Sequence, residues 1–177
     1  MLVGAAGLAL PHRQGRTVTE RGMVGGGLVR FDQGEANFSV FASRLIFAED
    51  EVVVLGSVFW VDATVGLTLR STAITDYIVP EVQPEQGQSR LILGVMSVND
   101  EGESPFELEL IDADLPGTGV DRAILTVGED ARTSEDATPT SDMGFSYVAH
   151  GTVVTGDLQL IGIEVDPTAG VARPAPN

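Results

Sequence analysis

The stretch VVVLGSVFWVD, Val52–Asp62, decides how the fold is read. It is rich in β-branched and aromatic residues, which fit a pleated, buried surface. In places it is apolar on both faces, as a strand covered from both sides would be. It therefore reads as the central strand of a sheet packed against a second sheet.

Neighbouring stretches extend this reading. EANFSVFASRLIF, residues 35–47, alternates and places Ala36, Phe38, Val40 and Ala42 on one face. GLTLRSTAITDYIV, residues 66–79, alternates again, with Leu67, Leu69, Ser71, Ala73 and Thr75 on one side. The short insert between Asp62 and Gly66 suits a hairpin. VPEVQPEQGQ, with two prolines and a glycine, reads as a loop. SRLILGVMSVN and PFELELIDA then form a second hairpin across DEGES, and DRAILTVG follows. GFSYVAHGTVV and GDLQLIGIEV read as a last pair of strands around a Thr155-Gly156 turn, and VGGGLVRF as a flexible strand entry. About nine strands and no substantial helix result. Uneven strand lengths and unequal loops favour a two-sheet antiparallel β-sandwich, jelly-roll or Ig-like, over a barrel.

The organisation that follows is an apolar N-terminal segment, 1–22, a sandwich domain, 23–166, and a proline-rich tail, 167–177. Two readings of the first ten residues stay open: the end of a secretory signal, or a flexible terminus or added edge strand. No basic residue precedes them, and the run is far short of the roughly 20 apolar residues that span a bilayer. EDARTSEDATPTSD, residues 129–142, is polar and acidic and reads as a mobile loop.

Composition excludes several chemistries. The chain has 177 residues, 43% of them hydrophobic, enough for one domain with a substantial core. Its formal charge is −16, and its ten basic residues are all arginine. Such a surface repels phosphate backbones, so no nucleic-acid partner is expected. Without cysteine there is no disulfide, no thiolate nucleophile and no sulfur-ligated metal. Without lysine there is no Schiff base. Only His12 and His150 could serve a histidine-dependent mechanism. His150 sits in strand-like YVAHGTVV, with no G-x-S-x-G elsewhere to supply a partner serine. Trp60, flanked by apolar residues, is expected in the core and not on a sugar-stacking face. No catalytic residue is expected.

DADLPGTGVDRA, residues 112–123, opens like a calcium loop, with Asp112, Asp114 and a sixth-position glycine, Gly117. Pro116 holds the fifth ligand position and Ala123 the twelfth, and the flanks are strand-like. The stretch is better read as a reverse turn, with Pro116 fixing φ and Gly117 taking the next corner. A non-helical calcium site built from Asp112, Asp114 and Asp121 is the remaining metal candidate.

Taken together, GGGLV, EANFSVFA, GSVFWVDATVGLTLRSTAIT, PFELELIDADLPGTGVD and HGTVVTGDLQL resemble a small bacterial β-sandwich domain. That domain follows choice-of-anchor adhesin-like regions in secreted and cell-surface proteins. The matching positions are Gly25 to Gly27, Ala36 with Phe38, Asp62 with Gly66, Ser71 to Thr75, Asp112 to Asp121, and Gly151, Val153, Gly156 and Gln159. The resemblance implies an extracellular, non-enzymatic structural or adhesion-like module with no catalytic residues. The expected function is association with a protein partner, or with itself, through edge strands. The alternative is a module that binds calcium or a glycan with its acidic turns.

Overall fold

The computed structural model describes residues 18–19, 22–46, 52–113, 120–133 and 144–162. Among them there is no helix and there are nine strands: β1 (Val18–Thr19), β2 (Gly22–Phe31), β3 (Gly34–Ile46), β4 (Val52–Asp62), β5 (Leu67–Ile78), β6 (Gln88–Val98), β7 (Gly102–Asp112), β8 (Arg122–Gly128) and β9 (Ser146–Ile161). Each strand from β2 to β8 pairs antiparallel with the next, and β9 pairs back onto β2. Eight strands therefore close into one up-and-down barrel. β1 adds two residues beside the end of β3.

This overturns the two-sheet sandwich. The all-β class stands, but the core lies inside one closed sheet. Several connections are tight turns, at residues 32–33, 63–66 and 99–101. Each strand is thus held beside its sequence neighbour. Eight strands added in one direction, all twisting in the same sense, bring the last against the first.

An eight-stranded barrel is just wide enough for side chains to fill it. Ala36, Phe38, Val40 and Ala42 of β3 point inward as the alternation requires. Trp60, Tyr77 and Phe106 fill the centre at 0%, 1% and 0% exposure. Burying a large apolar side chain contributes roughly 1.5–3 kcal/mol. Glu103, Glu107 and Glu109 alternate with these core positions along β7, on the outer face.

Three irregularities were hidden in the sequence. The last two expected strands are one, β9. Its register against β2 slips between Leu28 and Val29, leaving Val154 as the extra residue of a bulge. The bulge reverses side-chain parity, so Ala149 above it and Leu158 below it both face the core. Below the bulge Gly156 opposes Gly27, and both hold positive φ, +96° and +149°. A Cβ on either would collide with a carbonyl oxygen of the facing strand. The triple glycine is therefore a site of close strand approach and not a flexible entry. β5 carries two more register shifts, at Ser71/Ala73 and Ile74/Asp76. Its core side after Leu69 continues through Ile74 and Tyr77, displacing the expected Ala73 and Thr75.

Candidate functional site: two unequal seams

In the lower half of the barrel, away from the 32–33 and 63–66 turns, two strands run beyond their partners. β9 is one. Its ladder with β8 ends at Thr152–Arg122, and below that it continues to Ile161 beside β2. Three of its N–H groups on the β8 side are met by aspartates. Val153 N donates to the Asp121 carbonyl (2.8 Å), Leu158 N to Asp121 Oδ2 (2.9 Å) and Leu160 N to Asp112 Oδ2 (3.2 Å). Asp121 Oδ1 also accepts from Ala113 N at 3.0 Å, tying both ends of the β7–β8 connection.

These are two of the three aspartates singled out as calcium ligands. The structure brings Asp112 and Asp121 to the same overhang, where their carboxylates receive backbone N–H groups. Asp114 lies outside the described residues. Among the described residues no group of three or more His, Asp or Glu side chains is placed to hold a metal.

β4 is the other overhang. It pairs with β3 along its whole length, from Ile46–Val52 to Asn37–Val61. With β5 it pairs only from Phe59–Arg70 to Asp62–Leu67. At the junction Val58 N donates to Ser71 Oγ (2.8 Å), a side chain standing where a ladder carbonyl would be. Below it, residues 52–57 have no strand partner on the β5 side among the described residues. Because Val58 N–H points toward β5, strand alternation turns the N–H and C=O groups of Val52, Val54 and Gly56 the same way. The segment is open: Val52 is 42% and Leu55 45% exposed, and Gly56 and Ser57 are exposed beside them. Inside the seam Val54 and Ile74 are only partly buried against the core. From Val52 to Val61 there is no charge and no proline, the devices that usually protect a free edge.

At the upper end a polar chain runs out of the core. Trp60 Nε1 donates to Tyr147 Oη (3.1 Å), which donates to Asp62 Oδ2 (3.0 Å), while Asp62 Oδ1 caps Thr64 N (2.9 Å). Burial raises the Tyr147 phenol well above its ordinary value. The hydrogen bond from Trp60 opposes this, and the hydrogen bond to Asp62 and its charge add further upward pushes. The phenol thus stays protonated as a donor. It satisfies a fully buried indole and a nearly buried carboxylate at the hairpin turn. Asp62 and Tyr147 line a surface depression of about 450 Å³ with Asp32, Gln33, Val65 and Val148. His150 is exposed on the outer face beside Arg30, Arg122 and Thr152, around a second depression of about 490 Å³. No hydrogen bond joins His150 to a hydroxyl or carboxylate among the described residues.

Sequence reasoning missed two features. One is Arg90, 5% exposed in β6. It donates to Ser89 O and Gln88 Oε1, and its Nε has no partner among the described residues. Its parity with Ile92 and Met96 was the available signal. The other is the open edge of β4. A run apolar on both faces carries no mark that separates a covered strand from an uncovered one.

Among the described residues no helix is long and apolar enough to cross a membrane. No family model, curated protein or solved structure matches the chain.

Proposed function

We propose that this domain is a protein-interaction module that receives an extended segment of a partner as an added strand on the free edge of β4. One observation carries the reading. Residues 52–57 form an uncharged, proline-free edge, exposed at Val52 and Leu55, in a barrel whose other overhang is closed by Asp112 and Asp121. A guest strand would have six backbone groups to bond, the N–H and C=O of Val52, Val54 and Gly56. Each such bond is worth a net ~0.5–1.5 kcal/mol. Ordering each guest residue costs about 1–2 kcal/mol. Hydrogen bonds alone therefore do not hold the guest. The surplus comes from covering Val54, Leu55 and Ile74 at roughly 25 cal/mol per Å². Reversible binding of modest affinity is expected.

Amide exchange in the presence of a capped, uncharged peptide of alternating serine, threonine and valine (Ac-STVTVTS-amide) tests this. Added protection at Val54 and Gly56, lost in Leu55→Lys, supports it. Unchanged exchange at both amides at millimolar peptide, or protection spread over the barrel, refutes it.

A further inference from the structure

We infer that the seam also selects the charge order and direction of its guest. The guest runs antiparallel to β4, with a carboxylate near its N-terminal end, an uncharged middle and a lysine or arginine near its C-terminal end. This rests on the strand-accepting reading above.

The second lip of the seam, β5, carries the argument. Arg70 stands at its head, in the ladder pair just above the opening. Its guanidinium lies 5.8 Å from the centre of the Phe59 ring, and it has no carboxylate partner among the described residues. It is an exposed cation in a chain of net charge −16. Asp76 stands at the foot of the same lip, with exposed Glu81 three residues past the end of β5. Between Arg70 and Asp76 the lip is Ser-Thr-Ala-Ile-Thr, without charge, as residues 52–57 of β4 are. Six residues of strand span roughly 20 Å, somewhat less across bulges. That spacing suits a guest of about six residues with opposite charges at its two ends.

Charge alone fixes which end of the guest lies at the head. Direction follows from the ladder. β4 runs from foot to head, an antiparallel pair is slightly more stable per residue than a parallel one, and every pair in this barrel is antiparallel. An antiparallel guest starts at the head, so its acid comes first.

Two capped peptides of identical composition separate the possibilities, Ac-ETVTVTK-amide and Ac-KTVTVTE-amide, titrated by calorimetry at low salt. The first is expected to bind roughly three- to tenfold tighter, the range for two exposed ion pairs. The preference should reverse in Arg70→Glu/Asp76→Lys, and vanish with 0.5 M salt in the wild type. Equal affinities would overturn charge selection while leaving strand addition standing. Tighter binding of the second peptide would overturn the direction. No binding of either would remove the strand-accepting reading itself. If the free protein dimerises in sedimentation and Leu55→Lys abolishes this, a second copy is the occupant and the inference fails.

Discussion

The overhangs of β9 and β4 pose the same physical problem and receive opposite treatment. Each leaves strand residues with one neighbour instead of two. On β9 the free donors are taken up by the carboxylates of Asp112 and Asp121 and by the Asp121 carbonyl, and Asp121 also holds the β7–β8 connection through Ala113 N. On β4 a single hydroxyl, Ser71 Oγ, closes the top of the gap, and nothing described closes the rest. A free edge is an aggregation hazard, and proteins normally blunt it with charge or proline. β4 carries neither. The contrast shows that side chains can close an edge in this fold: among the described residues they do so on β9 and not along residues 52–57 of β4.

Amide exchange gives the largest contrast. Leu158 and Leu160 should exchange at least roughly a hundredfold more slowly than Val54 and Gly56. Within β4 the odd-numbered amides of Val53, Leu55 and Ser57, which face β3, should be protected while their even-numbered neighbours are not. Uniform protection along β4 would erase the distinction. Next comes Asp121→Ala, which strips acceptors from Leu158 and Ala113. Charge-assisted bonds to backbone are worth about 1.5–3 kcal/mol each, so a loss near 3 kcal/mol is expected in urea denaturation. Asp121→Asn, keeping one oxygen, should lose about half of that.

Ser71→Ala should cost about 1 kcal/mol, the worth of one capped donor, and add Val58 to the fast-exchanging amides. A reference outside both seams is the Arg132–Glu107 fork, with contacts of 2.8 and 2.6 Å. Burial alone would raise the Glu107 carboxyl. The hydrogen bonds and charge of Arg132 outweigh it and hold the carboxyl below its ordinary 4.5. A lowered carboxyl contributes stability above its unfolded value and loses it as pH falls through the folded one. Arg132→Ala should therefore remove less than about 1 kcal/mol at pH 7 and nothing at pH 2. Leu55→Lys should change stability least, within about 0.5 kcal/mol, because it touches neither core nor cap.

Much of the fold was legible. Alternation in β3 located Ala36, Phe38, Val40 and Ala42 in the core, and turn residues marked most strand ends. Closure was not legible, because sandwich and barrel bury the same alternating faces. Bulges were invisible too. Thr155-Gly156 looks like a turn, yet Gly156 is there because β2 comes too close for a side chain. Of the candidate site, Asp112 and Asp121 were found for the wrong partner. Their carboxylates were weighed against an ion, while the groups that meet them belong to a strand some 40 residues away, which spacing along the chain does not reveal. The open edge of β4 was read as covered, since apolar sequence records an affinity for burial and not whether burial is achieved.

The pairing of β9 with β2 also has a bearing on how the chain is made. Every other ladder among the eight barrel strands joins neighbours in sequence, but Met23 waits for Leu160. At ribosomal speeds of about 5–20 residues per second, the first long strand emerges several seconds before the one that completes it. Until then the nascent meander has two raw borders, and the glycines at 25–27 offer little to grip. Slowing or truncating translation near the last strand should therefore expose this protein to chaperones more than the same delay anywhere earlier.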